Sequence, residues 1–566
     1  MGRFPDHPSP RLARAFAGAP ALIAASLTLA PLAGAQPLPS VVIDELEISE
    51  GSGGFGGDLS TIDSFGYAVE SIGDLDGDGV PDLAVGTNLD DDGGFFVGAV
   101  WILFMHADGT VKAEQKISAL SGGFGGVLMS GDRFGSGVAS LGDLDGDGVT
   151  ELAVGTAFAN TIGTDSGSVW ILFLNTDGTV KNQAKIDNTL PALAGLIPSF
   201  ARFGRSVESL GDLDGDGLSE LAVGAWKDGS GSAFVLFLDS AGGVTSVTKI
   251  AEGLAGFDGD VTGNFGTGLA RLGDLDGDGV TELAVGANAA DDYRGEAWVL
   301  FLNAGGSVKA HRRIAPGDGG FDGELDVDDL FGTSLAPLPD RDGNGISELA
   351  VGAVWDDDGV GDGGAVWVLY LQADGGVASW QKISDTEGGF TGGLTSSEYF
   401  GGGIAAIDTD GDGHFEMAVG AGNDNDFIPM PETGSVWLLT LNPALWRDHG
   451  LGLAGSLDAP RLVGTGALTA GTPMRFSLSG TQPGQLASFI VGVSVLGAPF
   501  KGGTMFPTLD LLTAPTPTDA LGELELGAIW PAGVPSHAQF FAQAWVLDGA
   551  GPAGFAASNG ASGTTP

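Results

Sequence analysis

Six times along the chain, carboxylates stand on alternate positions with glycine between and behind them. The fourth instance reads Asp274, Asp276 and Asp278, then Glu282 at the ninth position. The same positions hold Asp74, Asp76, Asp78 and Asp82; Asp143, Asp145, Asp147 and Glu151; and Asp212, Asp214, Asp216 and Glu220. The fifth loop offers Asp340, Asp342, Asn344 and Glu348, and the sixth Asp408, Asp410, Asp412 and Glu416. Hard carboxylate oxygens converging on one point suit a divalent cation. Ca²⁺ takes about six to eight oxygens, and glycine lets the backbone wrap tightly enough to add a main-chain carbonyl. That carbonyl is expected at the seventh position, from Val80, Val149, Leu218, Val280, Ile346 and His414. One Ca²⁺ per loop, up to six, is the expected complement, and Mg²⁺, which demands stricter octahedral geometry, is second choice.

An EF-hand would carry glutamate at its twelfth position and continue into a helix. Here the twelfth position is Val85, Val154, Val223, Val285, Val351 or Val419, inside a strand pattern, so these are not EF-hands. Arg341 and Asn344 lower the negative charge of the fifth loop, and the sixth lacks one residue before Asp408.

The loops belong to longer repeats. FGYAVESIGDLDGDGVPDLAVG begins at Phe65, and its copies begin at Phe134, Phe203, Phe265, Phe331 and Phe400. A period of 62 to 69 residues is too short for an independent domain and right for one sheet of a radial array. Each period reads as four strands: the run from Phe-Gly to the acidic loop, the ELAVG segment, an apolar run such as VWILFL, and a run ending in KI. The third strands lack alternation, which implies burial on both faces. Trp101, Trp170, Trp298, Trp367 and Trp437, with Phe234 in the remaining repeat, are therefore expected in the core between blades.

The last repeat stops at Asn442 without a fourth strand, while the N-terminal segment DELEISEGSGGFGG matches the fourth-strand segments elsewhere. Pairing the two would close a ring and remove both open edges. The expected fold is all-β: a propeller of six four-stranded blades over residues 36–445, then a β-sandwich-like module over 450–566 that shows no chemistry.

With 73 acidic and 23 basic residues the net charge is -50, which excludes nucleic acid and favours cations. Arg3, Arg11 and Arg14 precede an apolar run to Leu32 and then Ala33-Gly34-Ala35, the pattern of a signal peptide over residues 1–35, with an uncleaved anchor as the alternative. No later segment is long and apolar enough to span a bilayer. The mature chain is expected to be secreted or at the cell surface. It has no cysteine, so cations rather than disulfides would staple it.

Phe-Gly followed by Gly-Asp-Leu-Asp-Gly-Asp-Gly-x-x-Glu-Leu-Ala-Val-Gly-Ala resembles the FG-GAP repeat of integrin α-chain propellers and related bacterial secreted proteins. The resemblance covers about Val41 to Asn442. It implies Ca²⁺ in the loop joining the first two strands of a blade, ligand recognition on the opposite face and, in integrins, seven blades rather than six.

Strand alternation puts the second-to-third and fourth-to-first connections on the face opposite the acidic loops. These connections vary, and variable loops on a rigid scaffold are where binding usually resides. Trp226 and Trp355 lie there and are the candidate ligand contacts, with packing against neighbouring loops as the alternative. The runs Asp90–Asp92 and Asp356–Asp358 read as solvated acidic turns, with further cation sites as the alternative. The function expected is non-catalytic recognition or adhesion, the partner an extracellular protein or glycan. The alternatives are a polysaccharide lyase or hydrolase on a propeller scaffold, or a structural matrix component. The six histidines are too scattered to assemble a catalytic group.

Overall fold

The structure, a computed structural model, describes residues 42–441 apart from 61, 342–343, 412–414 and 423–432, together with Ala30, Pro31 and most of 446–564. Nearly all of the expected leader, and the loop residues Asp342, Asp412 and His414, lie outside the described residues. The chain divides into two compact units, one formed by Ser40–Asp340 with Ile346–Asn442 and the other including Pro443–Pro566.

The first unit is six four-stranded antiparallel sheets. In the first sheet Phe65–Gly73, Asp82–Thr87, Ala99–Met105 and Val111–Ile117 pair in chain order, and the next four sheets repeat this. The sixth takes Phe400–Ile407, Glu416–Ala421 and Ser435–Leu441 and completes itself with Val42–Ile48, Leu46 opposite Leu438 and Ile48 opposite Val436. The N-terminal strand thus closes the ring. Parallel bridges run from Gly98, Gly167, Gly231, Gly295 and Gly364 to the phenylalanine opening the next repeat, and Gly434 returns to Phe65. Six blades complete the circle, so the seventh blade of the integrin pattern is not needed.

The repeat residues are those that close approach requires. Gly135 of the second Phe-Gly pair has φ +90°, and its carbonyl lies where a Cβ on Gly86 of the preceding blade would be. The two backbones touch because the first strands converge on the ring axis and pack against one another. Further out, the third strands of the first five blades are buried along their whole length. Their tryptophans meet phenylalanines of the GGFxG type edge-on: Phe55 with Trp101, Phe124 with Trp170, Phe257 with Trp298, Phe321 with Trp367 and Phe390 with Trp437. These clusters bridge blades; Phe55 and Trp101 of the first share one with Val436 and Leu438 of the sixth. The tryptophan row is interblade core, as expected, and these phenylalanines are buried with it.

In the second unit, Arg461–Thr465, Pro473–Ser479 and Leu524–Ile529 lie in one sheet, and Leu486–Gly492 and Gln539–Leu547 in another. Phe476 and Leu526 of the first share one buried cluster with Phe489 and Phe540 of the second.

Candidate functional site

The acidic loops are wound by their own side chains. In the fourth, the Asp274 carboxylate accepts from the amides of Gly277 at 2.7 Å, Asp278 at 3.0 Å and Gly279 at 2.8 Å, which draws the turn around it. Asp278 in turn accepts from the Val280 amide at 2.9 Å. Gly277 and Gly279 take φ of +78° and +89°, which a side chain would oppose. Glu282 opens the second strand, fully buried, and one of its oxygens accepts from the Leu275 amide at 2.7 Å. Its other oxygen, Oε1, is buried without a hydrogen-bond partner, as are Oε1 of Glu151 and of Glu220.

Carboxylate oxygens of Asp143, Asp145 and Glu151 lie within 4.8 Å of one another, as do those of Asp212, Asp214 and Glu220, of Asp274, Asp276 and Glu282, and of Asp74, Asp76 and Asp78. Burial, aided by the neighbouring aspartates, pushes Glu151, Glu220 and Glu282 up to about 7. A buried acceptor aimed into a group of carboxylates fits a hard divalent cation, which would supply the missing partner and reverse that shift. The first loop differs. Asp82 is one methylene shorter than glutamate, and its two oxygens are taken by the amides of Leu75 at 2.9 Å and Met105 at 3.0 Å, leaving three aspartates to form the group. In the fifth loop, Glu348 accepts from the Leu371 amide at 3.3 Å; in the sixth, Glu416 accepts from Thr409 at 3.0 Å while Asp408 holds the Gly411 amide at 2.9 Å.

At the opposite end of the ring axis a cavity of about 400 Å³ opens, lined by Tyr67, Phe158, Trp226, Tyr293, Trp355 and Tyr399, with Arg205 and Lys227 among them. Five blades contribute an aromatic ring, and the two tryptophans singled out by sequence line the same space. Trp355 lies 6.5 Å from Tyr399, ring centre to ring centre. Trp226 has Lys227 at 4.2 Å and Arg202 at 5.0 Å over its ring, and its indole N–H is buried without a hydrogen-bond partner. Phe158 lies between the guanidinium groups of Arg133 at 4.1 Å and Arg202 at 4.2 Å.

The family model described as FG-GAP repeat matches residues 65–103, 134–172 and 265–300. This chain carries FG-GAP repeats. Among curated proteins it is 37% identical to integrin alpha-PS5 of Drosophila melanogaster over 162 residues, 28% of this chain and 15% of that one. It is 31% identical to integrin alpha-4 of Xenopus laevis over 28% of this chain and 15% of the relative. With integrin alpha-3 of Cricetulus griseus the identity is 30%, over 34% and 17%. The chain thus spans less than a fifth of the length of these relatives. Among solved structures, rhamnogalacturonan lyase YesW aligns over 84% of this chain and 91% of its own at 15% identity, with a TM-score of 0.26, too loose to transfer either fold or chemistry.

Around the FG-GAP loops the structure adds residues that sequence reading missed. Lys112 reaches Asp76 at 2.8 Å and also contacts Asp78; Lys181 and Lys309 do the same in the second and fourth loops. The Asp90–Asp92 and Asp356–Asp358 runs are not simply solvated turns. Asp90 and Asp356 are buried against Lys116 and Lys382, both at 2.6 Å, so an internal ammonium fills the place where a further cation was considered. Both lysines come from the KI ending of a fourth strand and lie over Trp101 and Trp367. The recurring lysine was the available signal.

The ring axis carries another missed pair, Glu70 and Glu208, in a channel that shares Tyr67 and Arg205 with the aromatic cavity. Burial pushes Glu70 up to about 7, against the pull of the Ser140 amide at 3.2 Å, and Glu208 is raised by burial and by Glu70 despite Arg271. A carboxyl that binds its proton more tightly folded than unfolded makes stability fall as pH rises from about 4.5 to about 7. Glu70→Gln keeps the acceptor for Ser140 and removes the charge. Thermal melts should show it more stable than the parent by about 1–2 kcal/mol at pH 8 and equal to it near pH 4.5, after discounting for partial solvent access; a gain equal at both pH values would refute a charge effect.

Proposed function

We propose that this chain is an exported, Ca²⁺-clipped FG-GAP propeller that recognises an extracellular protein or glycan and performs no catalysis. The observation that carries this reading is the convergence of Trp226, Trp355 and four further aromatic side chains on one cavity, on the face opposite the acidic loops. Aromatic rings held by a rigid ring of sheets offer large contact area at little ordering cost. In this reading Asp143, Asp145 and Glu151, and their counterparts in the first, third and fourth loops, hold Ca²⁺, which supplies a charge-neutralising clip between the first two strands of a blade. The curated relatives, integrin alpha chains, support the propeller and its loops; the ligand is this chain's own question.

A binding screen of the mature chain against glycans and extracellular proteins, with and without EGTA, is the test. A ligand found there should lose about 30-fold in affinity with Trp226→Ala or Trp355→Ala, the size expected for a central aromatic anchor. Unchanged affinity in both variants would move the site elsewhere, and turnover of a polysaccharide would replace recognition with catalysis.

A further inference from the structure

We propose that Lys112, Lys181 and Lys309 are built-in competitors for the cation, so that among the four loops whose carboxylates converge the third binds Ca²⁺ most tightly and the first, second and fourth respond only at higher Ca²⁺. The inference rests on the Ca²⁺ reading of the loops. It starts from a bulge that all six blades share. Val111 pairs with Met105 and Ala113 with Phe104, leaving Lys112 as the extra residue; Lys181 and Lys309 stand in the same bulge of their blades. In the third blade Val244 pairs with Leu238 and Ser246 with Phe237, and the extra residue is Thr245, whose hydroxyl donates to the Phe237 carbonyl at 3.1 Å. The backbone is the same and only the side chain changes.

What changes with it is the company of the carboxylates. Lys309 lies 2.9 Å from Asp276 and 3.7 Å from Glu282, and also contacts Asp278; Lys181 lies 3.3 Å from Asp145 and 3.8 Å from Glu151. An ammonium that close to the ligand oxygens and a divalent cation repel each other, so the ion enters these loops only by displacing the lysine. The third loop keeps Asp212, Asp214, Asp216 and the fully buried Glu220, and among the described residues no lysine or arginine forms an ion pair with them. The first loop carries both handicaps, Lys112 and the short, backbone-bound Asp82. Among these four loops the order of affinity is therefore third, then second and fourth, then first. Of these four blades the third is clipped first when Ca²⁺ is scarce, and the other three stiffen as it rises.

The test is calorimetric titration of the cation-free full chain with Ca²⁺. In the parent, the site lost in Asp212→Ala should be at least about tenfold tighter than those of the first, second and fourth loops. Thr245→Lys should weaken that site by about tenfold, and the triple variant Lys112→Met, Lys181→Met, Lys309→Met should raise the number of tight sites. The triple variant decides the matter where Thr245→Lys does not fold, as judged by circular dichroism. Uniform affinities in the parent, or a tight site untouched by Thr245→Lys together with a triple variant identical to the parent, overturn the lysine inference alone. Absence of any Ca²⁺ binding overturns it together with the Ca²⁺ reading.

Discussion

Stripping divalent cations with EGTA should lower the unfolding temperature of the propeller by about 10 °C or more, and returning excess Ca²⁺ should restore it. An ion that binds only the folded chain stabilises it by about 4 kcal/mol at a thousandfold excess over its dissociation constant. Four loops bring their carboxylates together tightly enough to share an ion. For a domain of this size each kcal/mol is worth roughly 1 °C, so even partial occupancy gives a shift that calorimetry resolves. The direction follows from the buried glutamates. Without a cation, Glu151, Glu220 and Glu282 each keep one oxygen buried without a hydrogen bond, a cost that a bound ion removes. Glu220→Ala should forfeit a large part of the response, because of the four loops whose carboxylates converge its loop is the one with no lysine ion pair among the described residues. Superposable melting curves with and without EGTA would mean that the aspartate-to-amide hydrogen bonds alone hold these turns.

The features legible in sequence are those set by neighbours a few residues apart. The acidic spacing, the paired glycines and the strand alternation each act within one hairpin, and repetition made them visible six times over. Ring closure was legible for a different reason: Val42–Ile48 resembles a fourth strand, and the last repeat lacks one. What stayed hidden lies between strands far apart in sequence, or between blades. Lys112 reaches its aspartates from the far strand of the sheet through a one-residue bulge, which no spacing rule announces. The aromatic cavity mixes several kinds of position, Tyr67 after Phe-Gly, Phe158, Trp226 and Trp355 after the second strand, and Tyr399 before the first, so no single period marks it. Reading Trp226 and Trp355 as contacts needed only their place on variable loops; knowing that they face one cavity needed the ring. Asp82 shows the reverse failure, since a position that matches by spacing is turned to the backbone by the loss of one methylene.

Deleting residues 36–48 should be the most damaging change outside the loops. Val42 and Ile48 are buried in interblade clusters, and loss of two such side chains alone costs about 4 kcal/mol before the strand's ladder to Ser435–Leu441 is counted. More follows from geometry than from that sum. The outer strand of the sixth blade is the one strand supplied from the other end of the domain, so its removal separates ring integrity from local blade stability. The exposed edge of Ser435–Leu441 then offers unpaired amides and carbonyls to another chain. The truncated protein should melt at a lower temperature and self-associate in size-exclusion chromatography, and a synthetic peptide of residues 42–60 should reverse both. A truncated chain that stays monomeric and melts with the parent would show that the bridge from Gly434 to Phe65 closes the ring without the strand.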